Sequence, residues 1–282
     1  MSIQILIDST TDITPDLREK LTIVPLNIRF GEEDYVDGIT ISHRQFYEKL
    51  IESNVLPTTS QPAPEAFAEA FRRLTEAGDS VVAITVASGL SGTHQSAMLA
   101  ARDFPGKVHV VDSRTVAIGT GLLAQLALQM ADEGMEAAQI AEKLEKERDN
   151  IRLLAMLDTL EYLKRGGRIS KTAAFAGTLL AIKPVITVRN GEIAVIGKAR
   201  GSRQGNNHLV QEIENAGGVD FSKPVMLGYT GLSDLLLRKY VNDSAALWQD
   251  HMTELPAAMI GSVVGTHAGP GAVAVAFFSA NS

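Results

Sequence analysis

At 282 residues the chain is long enough for two domains or one large α/β domain, since single cores stop growing at roughly 250–300 residues. It is 45% hydrophobic and 21% charged, ample for a core, and its net charge of −7 without a basic stripe argues against nucleic acid as a partner. With no cysteine, disulfides, thiol catalysis and Cys-ligated zinc are excluded.

The first residues, Met1-Ser2-Ile3-Gln4-Ile5-Leu6-Ile7-Asp8, lack a basic start, and their apolar stretch breaks after five positions. They predict a buried first strand over 3–8 and not a signal peptide. No apolar run reaches the roughly 18 residues of a membrane span, so no integral membrane segment is expected and the cytoplasm is the expected compartment. Asp8-Ser9-Thr10-Thr11-Asp12 follows that strand and reads as a polar turn before a helix opened by Thr14-Pro15. Ser42 to Gln45 is a capping box for a helix to about Ser53. Pro64 opens another, with Phe67, Phe71 and Leu74 on one face. Buried strands are predicted over 80–86 and 108–111, and Ala/Leu/Glu-rich helices over 117–149.

After Asn150 the rhythm changes. A strand over 153–157 and a short helix over 159–164 precede a small-residue helix over 171–180. Strands over 184–189 and 192–198 flank Asn190-Gly191, a strong hairpin signal. Helices over 207–215 and 232–249 and strands over 224–229, 259–264 and 272–278 complete the chain. The fold class expected is α/β in two domains: residues 1–150 as an α/β/α domain with a parallel sheet, residues 151–282 as an α/β domain with a mixed sheet.

Three loops concentrate small and hydroxyl residues. They are Pro57-Thr58-Thr59-Ser60-Gln61-Pro62, Ser88-Gly89-Leu90-Ser91-Gly92-Thr93 and Gly265-Thr266-His267-Ala268-Gly269-Pro270-Gly271. They suggest a pocket gripping one small anion with neutral donors and a single imidazole, His267 lying in a glycine-rich turn between two strands and its glycines permitting positive φ. Other signatures fail on their own physics. Gly119-Thr120-Gly121-Leu122-Leu123-Ala124 fits a dinucleotide pattern but stands too far beyond the preceding strand, so close helix packing is the better reading. Around Ser91 the hydrolase elbow lacks its last glycine, which leaves an esterase of Ser91 and His267 as an alternative only. Histidine spacing suits no zinc site, and Asp8 with Asp12 needs further ligands to hold Mg²⁺; no metal is expected. Arg165 complements a helix C-terminus, Arg168 lies past the cap within reach of the pocket, and Lys198, Arg200 and Arg203 form a basic cluster in an acidic chain.

Asp8-Ser-Thr-Thr-Asp12, Thr58-Thr-Ser-Gln-Pro62, Gly89-Leu-Ser-Gly-Thr93, Asp112-Ser113, Leu160-Glu-Tyr-Leu163, Gly166-Gly-Arg-Ile-Ser170, Lys183-Pro184 and Gly265 to Gly271 occur in that order over nearly the whole length. As an ordered set they resemble the DegV family, bacterial fatty-acid-binding proteins that include the lipid-presenting subunit of a two-part fatty-acid kinase. The resemblance implies a long-chain fatty acid such as palmitate or oleate lying between the domains. It implies carboxylate contacts from Thr59, Ser91 and His267, supported by Thr58, Ser60, Gly92, Thr93, Arg168 and Thr266. It further implies an ATP-dependent partner kinase docking on Lys198, Arg200 and Arg203, with no catalytic residue and no cofactor in this chain beyond the bound acid. After Arg203 the sequence Gln204-Gly205-Asn206-Asn207-His208 is less basic than the family pattern. A hydroxyketone-kinase-like enzyme using His267, of similar fold, is the catalytic alternative beside the esterase.

That ligand suits these residues. Each buried methylene is worth roughly 0.8 kcal/mol, so a sixteen-carbon tail offers on the order of 10 kcal/mol before ordering costs, and the head group need only fix register. Thr59 and Ser91 are each expected just ahead of a helix, where side-chain and backbone donors converge. Met98, Met156, Met226 and Met259 are candidates for the tunnel wall, although core packing is the better reading of each.

Overall fold

The computed structural model describes residues 2–169 and 182–281. The helix expected over 171–180 lies outside the described residues. Strand β1 (Ile3–Asp8) is apolar on both faces because it is central in a parallel sheet. Helix α1 (Pro15–Arg18) begins with proline, and β2 (Thr22–Val24) returns beside β1. The strands β3 (Asn27–Phe30), β4 (Glu33–Val36) and β5 (Thr58–Ser60) form a small antiparallel sheet in the order β4-β3-β5, which the sequence does not announce. Its strands are three or four residues long and largely polar, so the period-2 signal never accumulates. Between β4 and β5, α2 (His43–Glu52) starts with the capping box of Ser42 and Gln45.

Helix α3 (Pro64–Glu76) buries Phe67 and Phe71. Then β6 (Ser80–Thr85), α4 (Thr93–Ala101), β7 (Val108–Asp112), α5 (Ile118–Asp132) and α6 (Ala137–Glu147) complete the parallel sheet, order β2-β1-β6-β7, and its helical layers. The glycines of α5 serve close packing. A Cβ on Gly121 would stand 2.3 Å from the Asp12 carbonyl oxygen, so the loop after β1 lies directly on the helix.

A second, mixed sheet follows. It contains β8 (Ile151–Met156), β9 (Ile182–Arg189) and β10 (Glu192–Arg200). A short helix α7 (Glu161–Arg165) follows β8. The hairpin of β9 and β10 turns at Asn190 and Gly191, both at positive φ (51° and 78°), as a type I′ turn requires. Helix α8 (Gly201–Asn215) precedes β11 (Val225–Tyr229), α9 (Leu235–Asp243) and α10 (Ala245–Trp248). After β12 (Ala257–Met259) comes a helix, α11 (Ser262–Ala268), and then β13 (Val273–Phe278). Strand order is β10-β9-β8-β13-β11-β12, antiparallel except for β11 beside β12.

The stretch expected as a strand over 259–264 is therefore the last residue of β12, a two-residue link and the first turn of α11. Its run of Ile260, Val263 and Val264 is apolar because both sides of a short buried helix are covered, a pattern periodicity does not separate from a strand. Helix α5 lies between the two sheets, and one apolar core joins Val111, Leu122 and Leu123 to Leu153, Met226 and Phe278. On the other face of the mixed sheet, Leu154, Met156 and Phe277 pack with Leu209 of α8 and Tyr240 of α9.

Candidate functional site

Alternation along β8 splits its side chains. Leu154 and Met156 enter the outer core, while Leu153, Ala155 and Leu157 face inward and line a cavity. Across the sheet Ala155 pairs with Ile186 on one side and with Ala274 on the other. Ala274 pairs in turn with Gly228, and Gly228 with Ala258. One cross-strand row thus reads Ala-Ala-Gly-Ala; Ala155, Ala274 and Gly228 of it line the cavity as a shallow trough, with Ile260 packed against Gly228. Leu26, Val86, Leu90 and Val116 from the first part of the chain roof the trough. The space between trough and roof is about 930 Å³ with the solvent at its open mouth included.

The apolar lining meets polar groups in one region. Thr59 lies on β5 with its hydroxyl 3.0 Å from Nε2 of His267, which stands in the last turn of α11. Arg168, just past α7, also lines the cavity; its Nε donates to the Leu90 carbonyl at 3.2 Å and Nη1 to the Gly166 carbonyl at 2.6 Å. Burial, and then the positive charge of Arg168, lower the imidazole of His267 to about 4, so the ring is neutral near pH 7. Its Nδ1 is buried without a partner among the described residues. Gly166 makes this placement possible, because a Cβ there would stand 2.1 Å from Nδ1.

Ser91 borders the same cavity ahead of α4, and its hydroxyl lies 2.9 Å from that of Thr93. The structure therefore brings Thr59, Ser91, His267 and Arg168 to one cavity. The other supporting residues sit elsewhere. Thr58 and Ser60 are exposed on either side of Thr59, as strand alternation requires. Thr93 is fully buried, Gly92 is packed under the side chain of Gln61, and Thr266 donates back to the Ser262 carbonyl at 3.0 Å.

Other expectations need correction. His267 is on a helix and not in a turn between strands, and Gly265 is helical, its missing side chain making room for Tyr47 and Phe46. Gly269 and Gly271 do take positive φ, 70° and 82°. Thr59 is on a strand, so only Ser91 stands near a helix start. The polar turn after β1 is present but buried, with Asp8 accepting from the backbone of Thr10 and Val86. None of Met98, Met156, Met226 and Met259 lines the cavity; Met156 and Met226 are core residues and Met98 is exposed. Sequence reading missed the small-residue row, although Ala155, Gly228, Ala258 and Ala274 stand visibly within apolar strands. Arg165 pairs with Glu161 one turn back. Arg200 and Arg203 are exposed where β10 meets α8, and Lys198 is exposed two residues before Arg200.

Fold and cavity define an α/β protein with an internal apolar pocket that ends at hydroxyls, an imidazole and a guanidinium. The chain belongs to the DegV family, whose model, described as "Uncharacterised protein, DegV family", matches residues 2–280. It is similar to a DegV domain-containing protein of Deinococcus radiodurans, 36% identical with 98% of each chain covered. Among solved structures it resembles a Thermus thermophilus DegV family protein described for its fatty acid binding, at a TM-score of 0.87 and 32% identity, covering 99% of this chain and 100% of that one. DegV of Bacillus subtilis, a fatty acid binding protein, superposes at a TM-score of 0.84 with 30% identity, covering 99% and 100%. A stearic acid-binding protein from Eubacterium ventriosum gives 0.87 with 28% identity, covering 99% and 98%. No helix among the described residues is long and apolar enough to cross a membrane.

Proposed function

We propose that this protein binds one long-chain fatty acid, of the palmitate or oleate class, and presents its carboxylate to a separate ATP-dependent kinase that forms the acyl phosphate. The observation that carries the reading is an apolar cavity ending at the Thr59–His267 pair. The alkyl tail occupies the trough, and Thr59, Ser91 and His267 hold the carboxylate, with Arg168 supplying positive charge beside it. The ligand lies between a unit of residues 1–150 and a unit of residues 151–282, both of which contribute cavity walls. The exposed Arg200 and Arg203, with Lys198, offer an anionic partner a docking face in the cytoplasm.

A carrier role is further supported by the pairing of the two candidate catalytic groups. Ser91 engages Thr93 while His267 engages Thr59, which is not the nucleophile–base contact an esterase needs. In the related proteins the ligand named is a fatty acid. Native mass spectrometry of freshly purified protein tests the reading: a bound acid of about fourteen to eighteen carbons is expected, within the size a pocket of this class holds. Protein that emerges empty and takes up neither palmitate nor oleate would falsify it.

The head-group assignment makes a separate prediction. Gly166 has ordinary helical φ and ψ (−72°, −9°), so alanine is tolerated by its backbone, yet its methyl would push His267 away from Thr59. Gly166→Ala should keep the melting temperature within a few degrees and weaken oleate binding about tenfold, the loss of one head-group hydrogen bond. Unchanged affinity in titration calorimetry would remove His267 from the site.

A further inference from the structure

We propose that Asp12 is the positioning residue for His267, an inference that rests on the reading of His267 as a carboxylate contact. Helix α11 brings His267 to the cavity, but its N-cap residue is Gly261, which has no side chain to satisfy the first-turn donors. The N–H of the N-cap itself finds its acceptor 249 residues away. Asp12, 3% exposed, accepts the Gly261 N–H on Oδ1 at 2.7 Å. A Cβ on Gly261 would lie 3.2 Å from that oxygen and 3.0 Å from Nε2 of His43, so glycine is what allows the carboxylate to reach the backbone. From α2, Tyr47 donates its hydroxyl to the adjacent Ile260 carbonyl at 2.9 Å. The backbone of Asp12 is itself wedged against α5 at Gly121. One residue therefore ties the helix holding His267 to the helix between the sheets.

Asp12 and the neighbouring Asp8 are used differently. The carboxylate of Asp8 closes its own loop and the end of β6 through Thr10 and Val86, and its contacts are all within the parallel-sheet part. Asp12 reaches across to α11, and its Oδ2 is buried without a partner among the described residues. A buried carboxyl oxygen left unpaired is costly, and that cost accompanies the bond by which Oδ1 fixes the N-cap of the helix, six residues before His267. An acceptor at Oδ1 suffices for that role, so asparagine preserves it and alanine does not.

The test uses the full-length protein, stripped of lipid, with oleate as the probe. Asp12→Ala should bind oleate about tenfold more weakly, the loss of a helix cap passed on to the group it positions, while Asp12→Asn stays within about threefold. His267→Ala sets the reference. If Asp12 acts through His267, the double variant Asp12→Ala/His267→Ala binds no more weakly than His267→Ala alone, whereas a merely structural role makes the two losses add. Additive losses, or parental affinity in a folded Asp12→Ala, overturn the proposal. Should Asp12→Ala fail to fold, the imidazole ¹⁵N spectrum of lipid-free Asp12→Asn decides: the Nε2 signal unchanged from the parent supports the assignment, and a displaced signal in a folded variant overturns it. Because that spectrum needs no ligand, a parent that binds no oleate counts against the fatty-acid reading and leaves the positioning role to be judged by the ¹⁵N result.

Discussion

Ala155→Phe should leave the protein folded and empty of long-chain acid. Ala155 stands mid-row in the trough, between Ile186 and Ala274, with Gly228 one strand further. A phenyl ring there projects into the cavity, where it displaces the length of tail that lay across the row. Excluding four or five methylenes at roughly 0.8 kcal/mol each removes about 3–4 kcal/mol, a loss of several hundredfold in affinity. Because the ring enters space that already exists, the overpacking penalty of about 1–3 kcal/mol that a filled core would impose is largely avoided. A control lies one inward-facing position along β13. Ala276 pairs with Leu153, is fully buried and does not line the cavity, so Ala276→Phe should instead lower the melting temperature sharply. Native mass spectrometry and thermal unfolding separate the two, and full acyl occupancy in Ala155→Phe refutes the trough.

What the sequence reveals and conceals in this molecule follows from where each signal resides. Strands β1 and β6 are legible because burial on both faces makes apolar runs, and the β9–β10 hairpin because Asn190-Gly191 accommodates two positive φ values so readily. Thr59, Ser91, Arg168 and His267 are legible as unusual residues in unusual loops, yet nothing local says that residues 59 and 267 are 3.0 Å apart. That distance depends on β5 joining a sheet too short to show periodicity and on α11, whose apolar run imitates a strand. The tail site is harder still. Four small residues on four strands mean little until register aligns them, and the register is tertiary information. Methionine, flagged for its adaptability, gave no guide, because the room for a ligand comes from side chains that are missing.

Acid should reveal His267 through stability before any ligand is added. In the unfolded chain its imidazole titrates near 6.5; in the folded protein, burial and the neighbouring Arg168 hold it at about 4. The unfolded state therefore takes up the proton first. The folded state is unpenalised above pH 6.5 and loses stability as the pH falls from there toward 4, by about 3 kcal/mol at the limit and less where solvent reaches the ring. Burial lowers His43 and His94 in the same direction, whereas burial raises Asp8, Asp12 and Asp37, which favours the folded state on acidification. Those contributions cancel in the comparison of parent with His267→Gln. The difference in unfolding free energy between them, from urea titrations at pH 7 and pH 4.5, should move by about 2 kcal/mol toward the variant at the lower pH. Arg168→Gln, by removing the second cause of the shift, should shrink that movement. A bound carboxylate acts in the opposite sense: placed beside the ring, it favours the imidazolium and offsets part of the burial cost. Oleate-loaded parent should accordingly lose less stability on acidification than the lipid-free protein. A parent-to-variant difference that stays constant across this range would mean that His267 is neither desolvated nor opposed by Arg168, and the electrostatic description of the site would have to be abandoned.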